Sequence, residues 1–129
     1  LSIDIDFNDY WVWKAIEGYS PRVVIVEYNA SVAVTESKAV PYDPNDYWAG
    51  DDYFGASLLA LVNLGKTKGY TLITCDTSGA NAFFVRNDLI QDNFEIRSIV
   101  EIYNKPGYGE KINNEYVGHP KSGKHMIPV

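Results

Sequence analysis

The chain has 129 residues, 46% of them hydrophobic, and a formal net charge of −6. That is enough chain to bury roughly two-thirds of its unfolded surface as one domain. No apolar run approaches the roughly 20 residues that span a bilayer, and an acidic chain repels phosphate backbones, so neither a membrane nor a nucleic-acid partner is expected.

Charge is uneven along the chain. Residues 1–103 hold 7 Lys/Arg against 15 Asp/Glu, a net −8, whereas residues 104–129 hold 4 Lys against 2 Glu, a net +2. The single cysteine, Cys75, cannot form an internal disulfide, which fits a reducing, cytoplasmic compartment.

Taken in order, the elements alternate strand and helix. Leu1–Ile5 reads as a short apolar strand that runs into acidic residues. A domain rarely opens on a central strand, so the chain is expected to be the C-terminal part of a larger α/β protein. Asn8 or Asp9 can cap a helix running through Ile16, with Tyr10, Trp13 and Ile16 on one face. Gly18 and Ser20-Pro21 end it. Arg22–Tyr28 is nearly continuous and β-branched, the pattern of a strand buried on both faces in a parallel sheet.

Residues 29–52 show little periodicity. A loop this long inside a compact domain usually carries function or is partly disordered. Asp51 or Asp52 is the expected cap of a long helix over 53–68, where Phe54, Leu58, Leu61, Val62 and Gly65 follow the amphipathic template. Tyr70–Cys75 and Ala82–Arg86 are two further strands. The turn-rich segment Asp76-Thr77-Ser78-Gly79-Ala80-Asn81 joins them into an antiparallel hairpin. Residues 88–103 fit either a short helix or extended chain. From Asn104 onward Gly, Pro, Asn and Lys dominate, so 104–129 is expected to be an irregular tail beside an α/β domain of 1–103.

Three blocks of residues resemble the second half of a class I S-adenosylmethionine-dependent methyltransferase of the FkbM-like group. Ser2-Ile3-Asp4-Ile5-Asp6-Phe7-Asn8-Asp9 looks like that family's fourth strand and its Asp-x-Glu/Asp-Gly turn. Pro21-Arg22-Val23-Val24-Ile25-Val26-Glu27-Tyr28-Asn29 looks like the fifth strand with its terminal acid. The long helix and the hairpin ending Asn81-Ala82-Phe83-Phe84-Val85-Arg86-Asn87 are similar to the sixth and seventh strands. The resemblance covers about residues 1–90. It implies a partial Rossmann-like sheet of four strands in the order fourth-fifth-seventh-sixth, the seventh antiparallel.

The resemblance also implies S-adenosylmethionine as the parent family's cofactor. The family's first three strands and glycine-rich cofactor loop have no counterpart in the sequence. The one Gly-x-Gly, Gly107-Tyr108-Gly109, follows no clear strand. Phe7 stands where family members usually carry Gly, a residue that permits a positive-φ turn and close approach to a ligand. The chain alone is therefore expected to bind no cofactor and to be inactive, with a stand-alone binding or assembly module as the alternative.

In open α/β sheets, ligands bind beyond the carboxyl ends of strands. Asp4 and Asp6 end the first strand and Glu27 the second, and adjacent strands would bring Glu27 near Asp6. These three are the candidate catalytic carboxylates, able to orient a substrate, take a proton or hold a divalent cation. Asn8, Tyr28 and Asn29 are the candidate substrate-binding side chains. The plainer alternative makes Asp9 a helix cap, leaves Asp6 in solvent, bonds Asp4 to turn amides and pairs Glu27 with a Lys or Arg.

Tyr42, Tyr47, Trp48, Tyr53 and Phe54 interleave with acids and either cover a cleft or anchor the long loop. Those acids lack EF-hand spacing, and His119 and His125, in the tail, are expected to be solvent-exposed, so no metal site is assigned. Without a first strand of the family beside it, Leu1–Ile5 would be an open edge. A homodimer pairing two such edges is the expected assembly.

Overall fold

The computed structural model describes all residues from Leu1 to Val129. Its centre is a mixed sheet of four strands: β1 (Ser2–Ile3), β2 (Val23–Glu27), β4 (Tyr70–Cys75) and β5 (Asn81–Arg86). The spatial order is β1-β2-β5-β4. β1 runs parallel to β2, with Ser2 opposite Ile25 and Ile3 opposite Val26. β5 runs antiparallel to both neighbours, placing Phe84 opposite Val24 on one side and Leu72 on the other. The outer edge of β1 has no partner strand.

Helices α1 (Asp9–Ala15) and α2 (Leu58–Thr67) bury their apolar stripes against this sheet. Trp13 of α1 is 2% exposed and packs 4.9 Å from the ring of Phe84. Leu58, Leu61 and Leu64 of α2 complete the same core. A short helix α3 (Ile99–Ile102), closed by a capping box between Ser98 and Glu101, packs beside β4. No helix is long and apolar enough to cross a membrane.

Several local expectations change. β2 alternates: Val24 and Val26 are fully buried, Val23 is exposed, and Ile25 and Glu27 are half-buried. One face of this strand is therefore sealed and the other only partly covered, which differs from burial on both faces. Asn8 occupies the N-cap position of α1 but makes no side-chain cap bond. Neither Asp51 nor Asp52 caps α2. That helix starts five residues later than expected, at Leu58, where the Ser57 hydroxyl accepts the Ala60 N–H at 3.2 Å and the Lys38 N–H at 3.0 Å. The bond to Lys38 also ties α2 to β3 (Lys38–Ala39).

The segment expected to be irregular contains three short strands. β6 (Glu110–Ile112) and β7 (Glu115–Gly118) form a hairpin. Its turn residues Asn113 and Asn114 both take positive φ, as tight hairpin turns demand. β8 (Ile127–Pro128) pairs antiparallel with β3. Residues 104–129 thus fold back over the body.

Gly65 marks the tightest packing of helix on sheet. A Cβ there would lie 3.1 Å from the rings of both Phe84 and Trp13, neither of which has free space to retreat. Gly65→Ala gains roughly 1 kcal/mol of helix propensity but forces overpacking worth roughly 1–3 kcal/mol. Urea unfolding is expected to show a net loss of about 1 kcal/mol; a gain would mean that the two rings can slide apart.

Candidate functional site: an acidic pocket at the strand ends

The parallel pairing of β1 and β2 sets their carboxyl ends side by side, and the acids follow from that register. One carboxylate oxygen from each of Asp4, Asp6 and Glu27 lies within 4.8 Å of the others. Asp4 and Asp6 are exposed and Glu27 is half-buried. The chain turns sharply between them, with Asp6 at φ 66°. The positive-φ turn therefore falls on Asp6, one residue before Phe7. Phe7 is buried instead, against Tyr53 at 6.0 Å between ring centroids.

Asp9 lies beneath this turn. It is fully buried, and its Oδ1 accepts the N–H of Ile5, the residue between Asp4 and Asp6, at 3.0 Å. Its Oδ2 has no hydrogen-bond partner. Glu27 Oε2 is likewise buried without a partner. No Lys or Arg pairs with Glu27; the four ion pairs all lie elsewhere. The plainer alternative weighed from the sequence, a Lys or Arg paired with Glu27, is absent.

Burial pushes the Glu27 carboxyl up to about 8, and the charges of Asp9, Asp4 and Asp6 push the same way. Burial also raises Asp9, against the pull of its bond to Ile5.

The remaining walls come from distant parts of the chain. Asp6, Glu27, Trp48, Phe54 and His119 enclose a cavity of about 30 Å³. His119 is half-buried, its ring 4.7 Å from Trp48, 5.0 Å from Tyr108 and 6.0 Å from Phe54. The sequence reading left this histidine in solvent; the fold places it over the acids. The Tyr108 hydroxyl nearby is buried without a partner, and burial, then the charge of Glu27, raises it to about 12. A larger recess of about 300 Å³ lies at the opposite ends of the strands, around residues 16–21, away from the acid cluster.

The three candidate substrate-binding residues are placed differently. Asn29 is fully buried: its Nδ2 donates to the carbonyls of Asp52 at 2.8 Å and Phe54 at 3.0 Å, and its Oδ1 accepts the Ser31 N–H at 3.0 Å. It pins the long loop, and its burial rules out the glycan that the Asn29-Ala30-Ser31 pattern would otherwise permit. The Tyr28 hydroxyl is buried and donates to Asn104 O at 2.9 Å, holding the start of the C-terminal segment. Asn8 donates to Asp43 O at 2.9 Å, while its Oδ1 is buried and unpartnered. Of the loop aromatics, Trp48 and Phe54 frame the cavity, whereas Tyr42 and Tyr47 are exposed.

No protein-family model, curated protein or solved structure matches this chain.

The pocket's electrostatics give a pH dependence of definite sign. Between about pH 4.5 and 8 the folded protein keeps a proton on Glu27 that the unfolded chain has already released. The folded state binds more protons, so stability falls as pH rises through this window and levels off above it. Asp9, also raised, adds to the same trend. Urea titrations at pH 5, 7 and 9 in metal-free buffer are expected to show this decline, and Glu27→Gln is expected to flatten it. An equal slope in the variant would assign the proton to another group.

Proposed function

We propose that residues 1–129 are the acceptor-side half of an FkbM-like, S-adenosylmethionine-dependent methyltransferase domain, and that the acidic pocket receives a hydroxyl-bearing acceptor. The observation that carries this reading is the sheet. Its order β1-β2-β5-β4, with β5 running against both neighbours, corresponds to the fourth-fifth-seventh-sixth order that the sequence resemblance implies. On this reading Asp4, Asp6 and Glu27 would correspond to the carboxyl ends of the family's fourth and fifth strands; they cluster at the ends of β1 and β2, where open α/β sheets bind ligands.

These residues do not themselves fit the cofactor. Gly107 and Gly109 flank Tyr108 in the C-terminal segment, in front of the β6–β7 hairpin rather than between a strand and a helix. The position of the usual glycine is filled by the buried Phe7 ring. S-adenosylmethionine would have to be held by chain outside residues 1–129.

Two calorimetric titrations test this. The chain alone is expected to bind S-adenosylmethionine more weakly than about 10 μM, or about −7 kcal/mol. A chain extended through the coding sequence preceding Leu1 is expected to bind it more tightly than that. Weak binding by both would end the methyltransferase reading.

The unpaired outer edge of β1 favours a second reading, an assembly module that pairs two copies through this strand. The flanking Leu1, Ile5 and Val12 side chains are exposed. Light scattering at micromolar concentration is expected to give twice the 14.5 kDa chain mass. A monomer mass would remove this reading and leave the first untouched.

A further inference from the structure

We propose that Asp4, Asp6 and Glu27, above the buried Asp9, bind a single hard divalent cation. The inference does not depend on the methyltransferase reading, because it rests on the geometry of this chain alone.

Three independent observations converge. The first is spacing. Ligand oxygens no more than 4.8 Å apart fit around one ion. Opposed oxygens lie roughly 4.6–5.2 Å apart on Ca²⁺ and roughly 4.0–4.2 Å apart on Mg²⁺, so either ion needs at most small side-chain adjustments.

The second is a pair of buried oxygens lacking any donor. Asp9 is 0% exposed, its Oδ1 is fixed by Ile5 at the centre of the Asp4–Asp6 turn, and its Oδ2 is unpartnered. Glu27 Oε2 is also buried and unpartnered. A buried acceptor without a donor is costly, roughly 1–3 kcal/mol and more when charged. Four acids with no basic side chain paired to them leave that cost uncompensated. One divalent cation at the three clustered carboxylates would neutralise two of these charges.

The third is room. The cavity against Asp6 and Glu27 measures about 30 Å³. That is space for about one water-sized occupant, which suits an ion or one of its waters, while the exposed Asp4 and Asp6 leave the outer side of the acids open. The donors are all carboxylate oxygens, the ligand set of Mg²⁺, Mn²⁺ and Ca²⁺ rather than of softer metals. His119 closes the cavity by packing at a tilt against Trp48 and is a wall rather than one of the three clustered ligands.

The test uses the chelator-stripped chain and three probes, Mg²⁺, Mn²⁺ and Ca²⁺. Calorimetry is expected to give one ion per chain for at least one probe, tighter than about 1 mM, the weak end of oxygen-ligand sites. Substoichiometric Mn²⁺ is expected to broaden the NMR amide signals of Ile5, Tyr28 and His119 first. Asp4 and Asp6 are exposed, so the Asp4→Asn, Asp6→Asn double variant should fold, and it is expected to bind about tenfold or more weakly. The proposal is overturned if no probe binds at about 5 mM, if Mn²⁺ broadening centres on the Asp43–Asp52 loop, or if the double variant binds like the parent. Should the double variant not fold, the broadening pattern of the parent chain decides alone.

Discussion

The buried side chain of Asn29 holds the rest of the structure in place around the pocket. It follows Glu27 by two residues, so it is fixed to the same strand end as the acid. Its three hydrogen bonds capture the backbone of Ser31, Asp52 and Phe54. Unpaired backbone carbonyls are costly in an apolar setting, so the long loop has one strongly preferred docking position. Asp52 passes the constraint on. Its N–H donates to Pro120 O at 2.9 Å, its Oδ1 accepts from Ser122 N at 2.8 Å, and Oδ2 faces Lys121 at 2.9 Å. Burial alone would raise the Asp52 carboxyl, but the bonds from Ser122 and Lys121 outweigh it and hold it below its ordinary value. His119 immediately precedes these anchored residues, so its position over the acids follows from an amide more than twenty residues before Asp52.

Much of the sheet was legible from hydrophobic pattern. The apolar run of β2, the β4–β5 hairpin and its Asp76–Asn81 turn all appear near their expected positions. The clustering of Asp4, Asp6 and Glu27 was legible for a geometric reason: parallel neighbours end at the same level. The start of α2 was not. Phe54 fits the helical template in sequence, and the acids before it look like caps, yet Phe54 turns to the cavity and Ser57 caps the helix. Residues 53–57 are instead irregular, with a bend at Gly55 (φ 55°), whose N–H is bonded to Phe7 O at 3.1 Å.

The C-terminal segment was hidden for a different reason. Beside the short β3–β8 pairing and the Asp52 N–H bond to Pro120 O, several of its attachments are between a side chain and backbone: Tyr28 to Asn104, Asp52 to Ser122, and Ser37 to Val129. Such bonds leave no periodicity behind, and a segment rich in Gly, Asn and Lys looks unstructured when only composition is read. The aromatic partners of His119 were visible as residues, but nothing in their spacing says that Trp48 and Tyr108 meet across one histidine.

That mode of attachment makes the pocket separable from the sheet. The four central strands share close ladders and a sealed apolar face, whereas the roof over the acids hangs on a few polar bonds reached across long chain separations. Segments of this kind open at lower free energy than a core. A nick or truncation after Tyr103 would unroof the acids while leaving Trp13, Phe84 and Leu61 packed as before. The molecule thus divides into a durable floor and a detachable cover, and access to the carboxylates is governed by the cover.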